Sequence, residues 1–261
     1  MSALAARRRP VLAACGLVLA ALVAAAALVP LPYTLVQPGV TADVLGEYRG
    51  ERVITVRGGD AAEDPEGELL MTTIAATGPD ATVRIGDVLS GWFAHDRAVM
   101  PREVVYPVGD SPEEIRDYND ERMADSQQAA VRAALDELGL DEDDLRVTVR
   151  LDEIGGPSAG LLFALGIVDT LDGDGSLTGG RTVAGTGTIA ASGRVGPVGG
   201  VPLKTQAARR DGATVFLVPR AECADAAAQA PPGLRLIPVG TLDDALAALA
   251  DLRADRPTPT C

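Results

Sequence analysis

Lysine and histidine are almost missing from this chain. Among 261 residues Lys204 is the only lysine and His95 the only histidine; every other basic residue is arginine. A single histidine excludes the His-rich ligand sets of zinc sites, and no Cys–His cluster replaces them. A Ser–His–Asp triad would have to use His95, whose immediate neighbour Asp96 is poorly placed to orient the ring from behind. Cysteine is scarce as well, and three of them exclude a disulfide-rich mini-protein. Positive charge is in deficit: the net charge is −14, a surface that repels phosphate and excludes nucleic acid as a partner. A phosphate-binding loop is missing too, because Leu203 stands before Lys204-Thr205 where that motif needs glycine. Asp172-Gly173-Asp174-Gly175 has the look of a calcium loop but lacks its spacing and closing glutamate, so it reads as a turn. No cofactor and no metal is expected.

What remains is apolar. The hydrophobic share is 47%, enough for a packed core and too high for a disordered chain. Part of it is concentrated in Val11–Val29, which carries no charge. At 1.5 Å per residue this run reaches about 28 Å, close to the hydrocarbon thickness of a bilayer. Arg7, Arg8 and Arg9 precede it, and Pro30 and Pro32 follow. The positive-inside rule then puts the amino terminus in the cytoplasm and the rest outside. A cleaved signal peptide is the alternative, with Ala25–Ala27 as the small residues; the length of the run favours a retained anchor. Cys15 reads as a residue buried within that helix. Outside the cell Cys223 and Cys261 have two states open to them, a disulfide or a pair of free thiols.

Residues 31–118 read as the β-rich first part of an ectodomain. Arg52–Val56 and Leu69–Ile74 have strand composition, and Gly58-Gly59 and Asp64-Pro65 punctuate them. Gly78–Asp110, with Trp92, Phe93 and His95, shows no clear period. Ser111-Pro112-Glu113-Glu114 is a helix start, with Ser111 as cap and Glu114 completing a capping box. The helix runs to Leu138 with a break expected near Asn119, and Gly139 stops it. Asp141–Asp144 reads as a solvated loop. Val147–Leu151 is a strand, a helix follows Ser158 as far as Leu171, and strands lie within Thr182–Ile189 and Gly193–Val198. Pro202 opens another helix that Gly212 ends. Thr214–Val218 and Leu234–Val239 are strands, and Thr241 caps a last helix ending near Leu252. Residues 253–261 read as a frayed tail. Strands and helices mix without strict alternation, so the class is α+β, or irregular α/β.

Two positions carry candidate chemistry. Ser158 follows Gly155-Gly156-Pro157 at the start of an apolar helix, where unpaired N–H groups and the helix dipole can hold an oxyanion. From these residues alone an ordinary tight turn with a capping serine is the simpler reading. Lys204 lies in the first turn of a helix, where the dipole and burial both disfavour a cation. Arginine cannot be deprotonated in a protein and a buried lysine can, so a lone lysine suits a task that arginine cannot do. A surface lysine kept by chance accounts for the same count.

Taken in order, these segments resemble the proteolytic domain of the Lon family. Gly156-Pro157-Ser158-Ala159-Gly160 resembles its nucleophile segment, Gly185-Thr186-Gly187 its Thr-Gly element, and Gly199-Gly200 followed by Lys204 its Gly-Gly-Leu-Lys segment with one extra residue. Met123-x-x-Ser126 resembles the start of its first long helix. Phe216–Pro219, Ile237–Val239 and Asp243–Leu246 resemble its closing strands and helix. The resemblance spans 119–252 as a proteolytic core. It implies Ser158 as nucleophile, Lys204 as general base, Thr186 as support for the amine, and Gly156 and Ala159 beside the oxyanion and the substrate backbone. The family often has an acidic residue where this chain has Gly155. The nearest architecture is the membrane-anchored Lon-like protein of Gram-positive bacteria and actinobacteria, which usually carries a PDZ domain. Leu138 and Val147 here are too close in sequence for one between them. The resemblance implies an ATP-independent serine endopeptidase, with residues 1–30 as cytoplasmic arginines and anchor. Its partners would be unfolded or membrane-proximal polypeptides, the membrane itself, and copies of the chain in a homo-oligomer. The rival expectation is a non-catalytic, membrane-anchored peptide-binding protein on the same fold.

Overall fold

The computed structural model describes residues 2–58, 66–108, 111–141, 145–151, 156–172 and 176–261. Gly59, the Asp64-Pro65 turn, Gly155, most of the acidic run after Asp141 and the glycines of the Asp172–Gly175 turn lie outside them. In chain order the first elements are α1 (Ser2–Leu28), β1 (Tyr33–Asp43), β2 (Glu47–Tyr48), β3 (Glu51–Arg52), β4 (Ile54–Arg57), β5 (Glu68–Ala76), α2 (Ile85–Phe93), β6 (Ala98–Pro101) and α3 (Arg102–Val105). Then come α4 (Pro112–Leu138), β7 (Arg146–Val149), α5 (Gly160–Asp172), β8 (Thr182–Gly185), β9 (Thr188–Ile189) and β10 (Val195–Gly196). The last are α6 (Val201–Arg210), β11 (Val215–Pro219), α7 (Cys223–Ala228), β12 (Arg235–Val239) and α8 (Leu242–Arg253).

The chain forms two compact units, one of residues 1–36 with 76–108 and one of 37–75 with 109–261. The expected boundary at residue 118 is therefore replaced by one that interleaves, and residues 37–75 belong with the proteolytic core. Sequence order could not show this, because β5 pairs with β8 more than a hundred residues later.

In the first unit α1 contains a membrane-length apolar stretch, Pro10–Leu28, with none of that window buried. The start of β1 pairs antiparallel with β6, Tyr33 opposite Pro101 and Val36 opposite Ala98. Thr77 ties the turn: its hydroxyl accepts from Leu35 N–H, and its carbonyl accepts from the Tyr106 hydroxyl at 2.8 Å. The helix α2 presses Gly91 onto this pair. A Cβ there would come within 2.7 Å of the Leu35 side chain and 2.9 Å of that of Val99, so a larger residue would have to displace them. This helix falls in a stretch where no period was evident in the sequence.

In the second unit β12, β11, β8 and β5 form a parallel run, with β1 next after β5. Parallel neighbours need crossovers, and helices supply them. Strand alternation sorts the side chains onto two faces. Leu69, Met71, Val183, Leu217 and Ile237 join a core with α4, α5 and α8. Leu70, Ala184, Phe216, Val218 and Leu236 join a second cluster with Val201 and Ala208 of α6 and Ala226 of α7. The result is an irregular α/β arrangement with helices on both sheet faces, together with the small antiparallel pairs β2–β3, β4–β7 and β9–β10. Every residue of α5 from Gly160 to Asp169 is buried, as befits a helix that is apolar on all sides.

Some elements differ from expectation. The helix α4 runs unbroken past Asn119, because its cap is sound: Ser111 Oγ accepts from Glu114 N–H, and Gly139 closes it at φ 64°. The expected strand Arg52–Val56 is cut at Val53, which leaves one partner for another: its N–H donates to Gly46 and its carbonyl accepts from Arg150. The tail is held at Cys261 by a disulfide to Cys223, with Cα atoms 5.3 Å apart. Cys15 is exposed rather than buried, as is the whole Pro10–Leu28 stretch of α1 in which it lies.

Candidate active site

Ser158 sits in a single 3-10 turn, Pro157–Ala159, immediately before α5. Gly156 precedes it at φ 103°, a backbone conformation that favours glycine, and Pro157 fixes φ at the first turn position. The turn is held from α4, where the Ser126 hydroxyl donates to the Pro157 carbonyl at 3.1 Å. Ala159 is buried and the Ser158 residue half-buried.

The strand β8 ends at Gly185, and the next two residues reach the turn. Thr186 Oγ1 donates to the Ser158 carbonyl at 3.1 Å, and the Gly187 N–H donates to the same oxygen at 2.9 Å. Thr186 is itself fixed to the sheet through its N–H and the Leu217 carbonyl. Lys204 comes from the opposite layer, in the first turn of α6. Gly200 caps that helix at φ 70°, and a Cβ there would lie 2.9 Å from Ile74. The expected segments therefore converge at the carboxyl end of a parallel strand, between helices on opposite faces of the sheet.

Lys204 Nζ lies 2.8 Å from Ser158 Oγ and 2.9 Å from Thr186 Oγ1. The lysine is only 2% exposed. Burial pushes its ammonium down from an ordinary 10.5 to about 7, and the Glu222 carboxylate pulls weakly the other way. A group with that value is neutral in a large fraction of molecules near pH 7, which is what a proton acceptor requires. Glu222 is half-buried between β11 and α7 and accepts the Val198 N–H at 2.9 Å. Its own carboxyl is pushed up by burial and held down by that N–H and by the Lys204 charge.

Sequence reasoning singled out Ser158, Thr186 and Lys204, and the fold brings all three together. It did not find Glu222, which nothing in its neighbourhood marks apart from the adjacent Cys223. Ser126 stood out only as part of a resemblance; its hold on the turn needs the fold. His95 is exposed and lies in the first unit, whereas the serine and lysine are in the second. A groove of about 460 Å³ lies between α4 and β7, lined by Gln127, Gln128, Val131, Arg132 and Val147, but none of the three convergent residues lines it.

The parallel-stranded α/β unit thus sets a buried lysine amine against a serine hydroxyl. The sequence profile of the Lon protease (S16) C-terminal proteolytic domain matches residues 120–250, half of the chain. The chain belongs to the Lon protease family, and this part of it is a Lon-type serine protease domain. A comparison with curated proteins finds none that matches.

Proposed function

We propose that the protein is a membrane-anchored, ATP-independent endopeptidase that uses Ser158 and Lys204 as a catalytic dyad outside the cytoplasm. The observation that carries this reading is the 2.8 Å contact between Lys204 Nζ and Ser158 Oγ, made by an amine held near neutrality. With one N–H donated to Thr186, the neutral amine turns its lone pair to the serine hydroxyl. Lys204 takes the Ser158 proton as the oxygen attacks a peptide carbonyl, and the resulting ammonium gives it to the departing amine. An acyl-ester on Ser158 remains. Water, deprotonated by the same lysine, releases the acid and restores the serine. The backbone from Gly156 to Ala159 flanks the place where the oxyanion forms.

The anchor is α1. The Arg7–Arg9 cluster before its apolar stretch supports a cytoplasmic amino terminus, and the Cys223–Cys261 bond supports an oxidising compartment for the protease unit. The substrates are unfolded or membrane-proximal polypeptides, which can reach Ser158 in extended form. The test is cleavage of an unfolded substrate by the full chain in detergent, with and without ATP and magnesium. Ser158→Ala abolishes turnover. Lys204→Arg keeps the charge but loses about 10²–10⁴ in rate, the usual cost of a lost general base. His95→Ala stays near wild type. Near wild-type activity in Lys204→Arg, or a several-fold stimulation by ATP, overturns the reading.

A further inference from the structure

The helix α2 has more apolar surface than its own unit can cover. Val88 and Gly91 are its buried residues, and Gly91 meets Leu35 and Val99. A second set, Ile85, Leu89, Trp92 and Phe93, recurs at i, i+4, i+7 and i+8 and so forms one stripe. Among the described residues nothing covers that stripe: Ile85 is 41%, Leu89 50%, Trp92 76% and Phe93 80% exposed. Asp87 and Ser90 are the only polar side chains on the helix. Four large apolar side chains clustered on nine residues are not the scattered exposure common on soluble surfaces.

The location of the stripe decides its occupant. The apolar stretch of α1 ends at Leu28, and three residues later the Leu31 N–H donates to the Val83 carbonyl at 2.8 Å. The chain enters α2 two residues beyond Val83. The start of α2 is thus tied to the point where the spanning helix leaves the hydrocarbon, and α1 and α2 are neighbours. The bare side chains of α1 and those of α2 belong to the same unit and are uncovered in the same way. Tryptophan beside aliphatic residues is the composition that settles at the headgroup boundary, where an amphipathic helix buries its apolar face by roughly 5–10 Å. The flanking Arg84 and Arg97 are balanced by Asp87 and Asp96, so the contact needs no anionic lipid.

We propose that α2 lies in the interface of the membrane that α1 spans, with Ile85, Leu89, Trp92 and Phe93 inserted among the lipids. This rests on the reading of α1 as a retained anchor and adds a second, in-plane contact to it.

Trp92 is the only tryptophan, so its fluorescence reports this contact alone. The full chain is reconstituted into neutral phosphatidylcholine vesicles, with iodide present on both sides of the membrane. Trp92 emission shifts to the blue relative to the denatured chain and is shielded from iodide several-fold. Lipids brominated near the glycerol end of the acyl chain quench it more than lipids brominated at the far end. The variant Leu89→Asp/Phe93→Asp still floats with the vesicles through α1 but loses the quenching by lipid. A floating wild-type chain whose Trp92 is open to iodide overturns the inference and leaves the anchor standing. Shielding from iodide without quenching by brominated lipid also overturns it, since another protein surface then covers α2. A wild-type chain that does not float removes the anchor and this inference together.

Discussion

The two units treat apolar side chains in opposite ways. The protease unit buries them: α5 hides ten consecutive residues, Gly160 to Asp169, and of the exposed large hydrophobic side chains among the described residues only Val40 and Leu140 belong to this unit. All the others, from Val11 in α1 to Val108, belong to the first unit. One sequence therefore holds two hydropathy patterns, one that buries its apolar side chains and one that leaves many of them bare, and its overall composition describes neither. What makes a side chain a core residue is the medium it was placed to avoid.

That contrast can be broken most directly by paired truncation. Phe163→Ala on α5 removes a ring that is fully buried and should cost about 3–5 kcal/mol in chemical denaturation. Phe93→Ala, measured in detergent micelles, should stay within about 0.5 kcal/mol of wild type. Equal losses would erase the distinction between the units. A smaller effect sharpens it from the covalent side. Cys223→Ser/Cys261→Ser opens a loop with a sequence separation of 38 and should cost about 2–4 kcal/mol, read as a lower denaturation midpoint.

Effects of pH fall on the second unit. Lys204 titrates at about 7 when folded, below its unfolded value of about 10.4. Between these values the unfolded chain holds a proton that the folded one has released, so stability rises with pH across that window. Below about 7 both states are protonated, and the buried ammonium weighs most against the fold. Lys204→Met should flatten the rise and be the more stable protein at acid pH, although inactive. Activity of the wild type should fall as pH drops through about 7. Glu222→Gln keeps an acceptor for Val198 but removes the charge that favours the ammonium, so its acid limb should move to lower pH. A limb that moves upward would show that Glu222 does not act through Lys204.

Much of the site was legible because it is made of local signals. Gly156-Pro157 before Ser158, Gly199-Gly200 before Lys204 and Ser111 before α4 each specify a backbone conformation within a few residues. The helix α2 was not legible because it spans only nine residues, two of them glycine, so its apolar stripe runs for too few turns to stand out in the sequence. Its cap is Arg84, whose side chain makes no cap hydrogen bond, so no start signal preceded it. Glu222 was hidden for another reason. Its relation to Lys204 arises where α6, β11 and α7 meet, and no spacing in the sequence encodes that meeting. The interleaved units escaped for the same cause, since β1 begins in one and ends in the other.

The shortage of lysine noted at the outset has a practical consequence for chemistry performed on the protein. With a single ε-amine in the sequence, reagents that acylate surface lysines find no such side chain on its exterior. The one they could modify lies buried beside Ser158 and is uncharged far more often than an ordinary lysine near pH 7. With the α-amine blocked, an activated ester small enough to enter beside Ser158 therefore becomes a site-directed label, and competition by an unfolded polypeptide for that label would report occupancy of the site without any cleavage taking place.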